Sequence, residues 1–232
     1  MRRSRAWLAA MLLCAAGPAA GGSLTVAPTR IDLGGGRTAG AVTLHNNAAD
    51  PVLVQVETFA WTRSPATDDL EPTTRLVAVP PVFSLPADGR QVIRVALRDP
   101  QGGAVEEAYR LLITEVPQLG GKGGGVQFAL RLSLPVFATP PGAAARPQWS
   151  IERGSGQPRL QLVNAGNAHM QVRKIRLKGG SGQQTIEEPS YVLAGQKQAW
   201  NLRLPLPAGA TVALEADTSI GPLALPLAAA GR

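Results

Sequence analysis

The sequence predicts an all-β protein made of two successive β-sandwich domains. Short runs rich in Val, Leu and Ile are separated by clusters of Gly, Pro, Asn and Asp at intervals of roughly ten residues, a spacing typical of sandwiches. The chain contains 26 Gly and 20 Pro among 232 residues, which leaves little room for long helices. Hydrophobic residues make up 44% of the chain, enough to build a core.

Residues 1–22 have the features of a secretory signal peptide. Three arginines within the first five residues precede an apolar run at 6–16, and small residues follow as far as Gly22. The run is too short to span a bilayer, and no later stretch reaches about eighteen apolar residues. Loss of the leader lowers the net charge from +7 by three, to +4. We therefore expect an exported, periplasmic protein whose mature chain does not insert into a membrane.

The first predicted domain spans residues 23–140 and contains seven apolar runs. In the fifth run, Ile93, Val95 and Leu97 share one face of a strand, while Arg94 points to the other face. Residues with turn chemistry separate the runs. The runs lie at 24–33, 41–45, 52–61, 73–79, 91–97, 109–116 and 126–137.

A second, smaller β domain is predicted at 141–232. Residues 139–147, at its beginning, contain three prolines and no alternation, which predicts a stiff connection between the domains. Further on, the apolar parity changes between Val172 and Ile175. Such a change predicts a β-bulge or a change of the sheet that the strand faces.

The last strand of the first domain is unusual because its apolar residues all share one parity. Pro135 cannot donate a ladder hydrogen bond, which places that part of the strand at a sheet edge or a bulge. An apolar edge strand is an aggregation hazard unless something covers it. Two interpretations stay open: a partner covers the strand, or the strand is overlong and buried in its own core. The apolar row consists of Val126, Phe128, Leu130, Leu132, Leu134 and Val136.

Five segments, in this order, resemble the periplasmic pilus-assembly chaperones of the chaperone–usher pathway, the PapD-like chaperones. They lie at 24–33, at 82–86 with 91–95, at 106–117, at 128–137 and at 164–169. The Ser-Leu-Pro-Val-Phe sequence at 133–137 and Ala-Gly-Asn-Ala-His at 165–169 look most like the archaic, spore-coat-type pilus branch.

The resemblance implies two immunoglobulin-like β-sandwich domains in an L-shaped arrangement, with a cleft between them. Such chaperones bind pilin subunits that lack their final strand, lend them a strand of their own, and deliver them to an outer-membrane usher. By this resemblance Val126, Phe128, Leu130 and Leu132 are the donor residues. Self-capping in a homo-oligomer is an alternative way to cover the strand.

The resemblance also implies two basic residues that anchor the carboxylate at the subunit's C-terminus. By motif they are Arg30 and Arg131, and arginine at the second position departs from the family's frequent lysine. Guanidinium suits the role because it can bind a carboxylate through two parallel hydrogen bonds. Glu106, rather than its neighbour Glu107, matches an acid that fixes the angle between the domains through ion pairs, and Asp217 is a candidate second acid.

Catalysis, cofactors and metals are not expected. Cys14 is the only cysteine, which excludes intramolecular disulfides and multi-thiolate zinc sites. His45 and His169 lie beside turn asparagines, far from any nucleophile motif, and are interpreted as turn or surface residues. The modest charge of the mature chain and an aromatic content of 4% argue against nucleic acid as a partner.

One alternative function belongs to a different class. A secreted two-domain β-sandwich can also be a structural or adhesive component of a pilus. Such a subunit is expected to carry a free N-terminal donor extension, whereas the mature chain runs almost at once into residues 26–30. The sequence therefore favours a non-enzymatic assembly chaperone.

Overall fold

The computed structural model describes residues 24–63, 68–100, 103–117, 129–153, 157–179, 182–206 and 209–228. All regular elements within these ranges are β-strands, as the sequence predicts. The described residues include no helix of the length and apolarity needed to cross a membrane.

Among the described residues, ten strands form the first sandwich. One sheet has the order β1, β3, β8, β6, and the other has the order β2, β10, β9, β4, β5, with β7 also paired to β4. The strands are β1 (Leu24–Ala27), β2 (Ile31–Gly34), β3 (Ala39–Asn46), β4 (Val52–Arg63), β5 (Asp68–Pro72), β6 (Leu76–Val79), β7 (Val82–Leu85), β8 (Arg90–Leu97), β9 (Glu107–Val116) and β10 (Arg131–Thr139).

In the part of the second sandwich that the structure describes, there are eight strands. Its sheets have the orders β11, β12, β16 and β14, β13, β17, β18, and β15 pairs with β13. The strands are β11 (Pro147–Glu152), β12 (Arg159–Asn164), β13 (Met170–Gly179), β14 (Gly182–Ile186), β15 (Ser190–Val192), β16 (Lys197–Asn201), β17 (Thr211–Thr218) and β18 (Gly221–Ala228). The predicted domain boundary at residue 140 falls between β10 and β11.

Each sandwich has its own hydrophobic core, built from alternate residues of its strands. In β8, Ile93 and Val95 are fully buried while Arg94 is exposed, because successive side chains point to opposite faces of a strand. In β13, the register with β17 shifts between Val172 and Lys174. The change of apolar parity there is therefore a β-bulge, one of the two predicted alternatives.

The run at 24–33 is not one strand, as the sequence suggested, but two strands in different sheets. β1 pairs with β3, whereas β2 runs parallel to β10. Pro28 lies between them, and a residue without an N–H group cannot continue a ladder. The chain crosses from one sheet to the other at 28–30, which places Arg30 immediately before β2.

Candidate functional site

Strand β10 differs along its length in how it is paired. Residues 131–138 pair antiparallel with β9, but the parallel pairing with β2 begins only at Val136, opposite Ile31. In the described part of the chain, no strand pairs with residues 131–135 on the side opposite β9. This half of β10 is therefore a sheet edge and contains Pro135, as predicted.

The apolar row also changes along β10. Val136 and Leu134 are buried in the first core, whereas Leu132 and Leu130 are only partly buried against it. The carbonyl oxygen of Leu130 accepts a hydrogen bond from the backbone N–H of Glu115 at 2.9 Å. The other two predicted donor residues, Val126 and Phe128, lie outside the described residues. The row thus passes from the core of the protein to a half-exposed edge.

The opposite face of β10 carries the odd-numbered residues, including the predicted anchor Arg131, which is exposed. Arg30, the other predicted anchor, forms an ion pair with Asp32 at 2.9 Å, and its side chain is 39% exposed. Ile31 of β2 lies opposite Val136 of β10. Arg30 is one residue before Ile31, whereas Arg131 is five residues before Val136. The four-residue offset separates the two arginines by about 13 Å along the strands, so the structure does not bring them side by side.

A third arginine, which the sequence analysis missed, lies closer to Arg30. Arg110 on β9 is opposite Pro135, and the register of β2 places the backbone of Arg30 on the other side of Pro135. The two backbones are therefore about two strand spacings, roughly 10 Å, apart. Alternation along β9 could have indicated Arg110, because Tyr109 and Leu111 on either side of it point into the core and Arg110 therefore points away from it.

The surroundings of Arg110 are unusual for a cation. Its guanidinium lies 3.7 Å from the centre of the Trp61 ring, and its side chain is only 14% exposed. Asp68 is 3.5 Å away. Burial lowers the pKa of Arg110, with a smaller opposing effect of Asp68. The guanidinium is thus held by its ion pair with Asp68 and by its contact with the Trp61 ring.

Glu106 lies at the junction of the two sandwiches, where its carboxylate receives three contacts. Thr139 donates a hydrogen bond from Oγ1 to Oε2 at 2.7 Å, and the backbone N–H of His169 donates to Oε1 at 2.8 Å. Nδ1 of His169 is 2.7 Å from the same Oε1 atom, so an N–H group on this nitrogen donates as well. The Glu106 side chain is 2% exposed. Burial acts to raise the pKa of Glu106, but the contacts with His169 and Thr139 outweigh it and hold the pKa below its usual value.

His169 is not the turn or surface residue that the sequence suggested. Its ring stacks on Phe137 of β10, with ring centres 3.5 Å apart and planes 10° apart. Phe137 belongs to a third apolar cluster, in which Trp61 of the first sandwich and Leu193 of the second are also buried. His169 differs from His45 because it contacts Glu106, which is 63 residues away in the sequence. A local sequence pattern cannot reveal a contact over that distance.

The turn 164–169 contacts both the connection and the first sandwich. The side chain of Asn167 accepts a hydrogen bond from the N–H of Ala144 and donates one to the carbonyl of Ala104. The side chain of Asn164 is fully buried and accepts one from the N–H of Arg146. A Cβ atom on Gly166 would lie 2.2 Å from the carbonyl oxygen of Ala144, so only glycine fits there.

Glu107 and Asp217, the two other acids considered for this role, have partners within their own sandwich. Glu107 pairs with Arg75 at 2.9 Å and accepts a hydrogen bond from Tyr109 at 2.6 Å. Asp217 pairs with Arg173 at 3.1 Å, and its side chain is 59% exposed. The structure therefore brings Glu106 to the junction with His169 as its partner, and it does not bring Asp217 there. The described residues contain no group of three or more His, Cys, Asp and Glu side chains that could hold a metal ion.

A family model described as the N-terminal domain of the pili and flagellar-assembly chaperone PapD matches residues 23–144. The chain belongs to this family. The match covers the first sandwich and the first part of the connection that follows it. The sequence-based prediction of a PapD-like pilus-assembly chaperone is thereby confirmed. No protein in a search of curated sequences matches the chain.

Solved structures of this family have the same fold. The chain is similar to one in the CsuC–CsuE complex of chaperone and tip adhesion subunit, from the archaic chaperone–usher Csu pili of Acinetobacter baumannii. Identity is 19%, coverage is 89% of this chain and 98% of that chain, and the TM-score is 0.70. The chain is also similar to one in the complex of Salmonella enterica SafA pilin with the SafB chaperone. Identity is 18%, coverage is 90% of this chain and 96% of that chain, and the TM-score is 0.63. With the Pseudomonas aeruginosa CupB2 chaperone, identity is 17%, coverage is 87% of this chain and 98% of that chain, and the TM-score is 0.58. The fold is that of two immunoglobulin-like domains.

Proposed function

We propose that this protein is a periplasmic chaperone that completes pilin subunits by lending them the edge half of β10 and the apolar residues that precede it. The observation that carries the proposal is the change along β10, from a doubly paired, buried strand to a singly paired, half-exposed one. The donor residues are Val126, Phe128, Leu130 and Leu132. In this assignment, residues 23–140 form the subunit-binding domain.

Strand lending uses two properties of this edge. The backbone groups of residues 131–135 that face away from β9 supply ladder hydrogen bonds to an added strand, except at Pro135. The half-exposed side chains of Leu130 and Leu132 supply apolar surface for the subunit's open groove. Burial of apolar surface supplies the free energy, so no nucleotide hydrolysis is needed and the protein acts without catalysis.

The carboxylate at the subunit's C-terminus is the proposed ligand of the arginines. Arg30 and Arg131 are the anchors that the motifs indicate, and Arg110 on β9 is a third arginine of this sheet, with its guanidinium over the Trp61 ring. Removal of one partner from such a desolvated charge pair costs on the order of 3 to 5 kcal/mol, largely because the remaining charge is stranded. The protein then passes the completed subunit to an outer-membrane usher.

Coexpression with candidate pilin subunits from neighbouring genes tests the donor strand. The protein is tagged, periplasmic extracts are purified, and the recovered pilin is quantified for wild type and for Leu130→Glu. A charge at Leu130 cannot enter an apolar groove, so pilin recovery is expected to be lost. Ile220→Glu is the matched control, because Ile220 is an exposed hydrophobic residue of the second sandwich. Equal recovery with Leu130→Glu and wild type would refute strand lending.

The same assay tests the anchors separately. Arg30→Ala is expected to abolish recovery, while circular dichroism shows that the chaperone itself remains folded. Arg110→Ala and Arg131→Ala then show which guanidinium acts with Arg30. Full recovery with Arg30→Ala would contradict the anchor. In the free protein, a homo-oligomer that covers β10 would appear as a dimer or larger species by light scattering and would dissociate when pilin is added.

A further inference from the structure

Among the described residues, contacts between the second sandwich and β10 lie at the end of the strand opposite the proposed donor residues, where Phe137 meets His169 and Tyr191. Phe137 and Thr139 are the two β10 residues involved. His169 contacts Phe137 directly through its ring and reaches Thr139 through the shared carboxylate of Glu106. One residue of the second sandwich is thus linked to two residues of this strand.

The ring of His169 is held in a single orientation. Its face covers Phe137, while Nδ1 and the backbone N–H of the same residue both contact Oε1 of Glu106. The His169 side chain is 12% exposed, so water has little access to these contacts. A ring fixed both at its face and at its edge cannot rotate without breaking one of the two contacts.

The position of His169 is fixed in turn by the turn 164–169. The backbone N–H of Glu106 donates to the carbonyl of Asn167 at 2.9 Å, and the Asn167 side chain reaches Ala104. The segment that leads into β9 is therefore attached to the same turn that presents His169. This arrangement gives the ring a rigid base on both sandwiches.

We propose that His169 is a positioning residue for strand lending, which holds the end of β10 through Phe137 so that the edge half keeps its register. Residues 131–135 are paired on one side only, and a strand end held by a single ladder frays more readily than one held by two. A fixed end at 137–139 opposes that fraying because the strand is continuous. The proposal rests on the proposed function, since it concerns the same strand.

Amide hydrogen exchange of the free chaperone tests the positioning without any pilin. Replacement of His169 alone strands the buried Glu106 carboxylate, so the comparison is made in the Glu106→Gln background. Glu106→Gln/His169→Ala removes the ring, whereas Glu106→Gln/His169→Phe keeps one to stack on Phe137. We expect the amides of 132–139 to exchange about tenfold faster in the alanine variant than in the phenylalanine variant. The amides of β3 and β8, in the opposite sheet, serve as the internal reference.

Two outcomes would overturn the positioning role. One is equal exchange in β10 for the two variants, and the other is a uniform increase over all strands, which indicates only a general loss of stability. His45→Ala is the matched histidine control, because the contact of His45 is Asp88 at 3.9 Å within the first sandwich. It is expected to leave exchange in β10 unchanged.

Pilin recovery by the same variants connects the positioning to function. Recovery by the alanine variant is expected to be about tenfold lower than by the phenylalanine variant, in line with the exchange. Faster exchange with equal recovery would overturn the role of His169 in strand lending. If wild type recovers no pilin at all, the proposed function fails, and the exchange experiment still decides whether His169 holds the strand.

Discussion

The two halves of β10 have the same alternation of residues but different surroundings. At 136–139 the strand lies between β2 and β9, and its apolar side chains belong to the cores. At 131–135 it has β9 alone, and the row ends in half-exposed leucines. The difference comes from β2, which starts at Ile31 because the chain crosses between sheets just before it. The place where a neighbouring strand begins thus decides which part of an apolar row stays available to a partner.

The largest effect on stability is expected at the buried half. Phe137→Ala removes a fully buried ring that contacts Trp61, His169 and Tyr191. We expect the free energy of unfolding to fall by about 3 to 5 kcal/mol, the usual cost of a large cavity. Urea denaturation followed by tryptophan fluorescence measures the change. A loss below about 1 kcal/mol would contradict a packed junction at this residue.

Leu134→Ala and Leu132→Ala compare the same substitution two residues apart. Leu134 is 3% exposed, so its truncation is expected to cost about 2 to 5 kcal/mol of unfolding free energy. Leu132 is partly exposed, and its truncation is expected to cost about 1 kcal/mol. Pilin recovery is expected to respond to Leu132→Ala in spite of this small cost. Equal stability losses for the two variants would contradict the decrease in burial along the apolar row from Leu134 to Leu132.

Acid is expected to weaken the junction end of β10 through Glu106. The pKa of Glu106 is lower in the folded protein than its ordinary value, so its contribution to stability is present above that ordinary value. The contribution is lost as the pH falls through the folded pKa. Urea denaturation between about pH 6 and pH 3 measures the decline for wild type. Glu106→Gln is expected to make the decline shallower, and an unchanged slope would exclude Glu106 as its source.

The smallest effect on stability is expected at Arg131. Its side chain is exposed at the edge half of β10, and substitutions of this kind usually change the unfolding free energy by no more than about 0.5 kcal/mol. Any loss of pilin recovery in Arg131→Ala therefore reports on binding. Arg110→Ala differs, because it also removes the stacking on Trp61. A melting temperature for Arg131→Ala well below that of wild type would show a structural role instead.

Local patterns in the sequence predicted much of this architecture. Alternation in β8 and β10, the β-bulge at Val172 and the edge position of Pro135 each follow from neighbouring residues. Strand β5 was missed because Asp68–Pro72 is polar and has no alternation, so its pairing with β4 alone makes it a strand. The crossing at Pro28 was also missed, since both segments beside it have strand-like sequences.

The candidate site was harder to predict because its residues meet across long stretches of chain. The choice of Glu106 over Glu107 came from a resemblance, and the structure places only Glu106 against the second sandwich. Its partner His169 lies 63 residues away, and a turn beside asparagines gave no sign of the contact. Arg110 was passed over although the alternation of β9 points it away from the core. Asp217 has its partner Arg173 on a neighbouring strand, which local spacing does not reveal.

The hydrogen bonds that the backbone N–H groups of Ala144 and Arg146 donate to the side chains of Asn167 and Asn164 have a thermodynamic consequence for the encounter with a partner. These hydrogen bonds fix the backbone of the connection between the sandwiches in the free protein, before any partner binds. When the two domains are already ordered relative to each other, binding does not incur the entropy cost of ordering them. The affinity for a partner then depends mainly on the surfaces that meet.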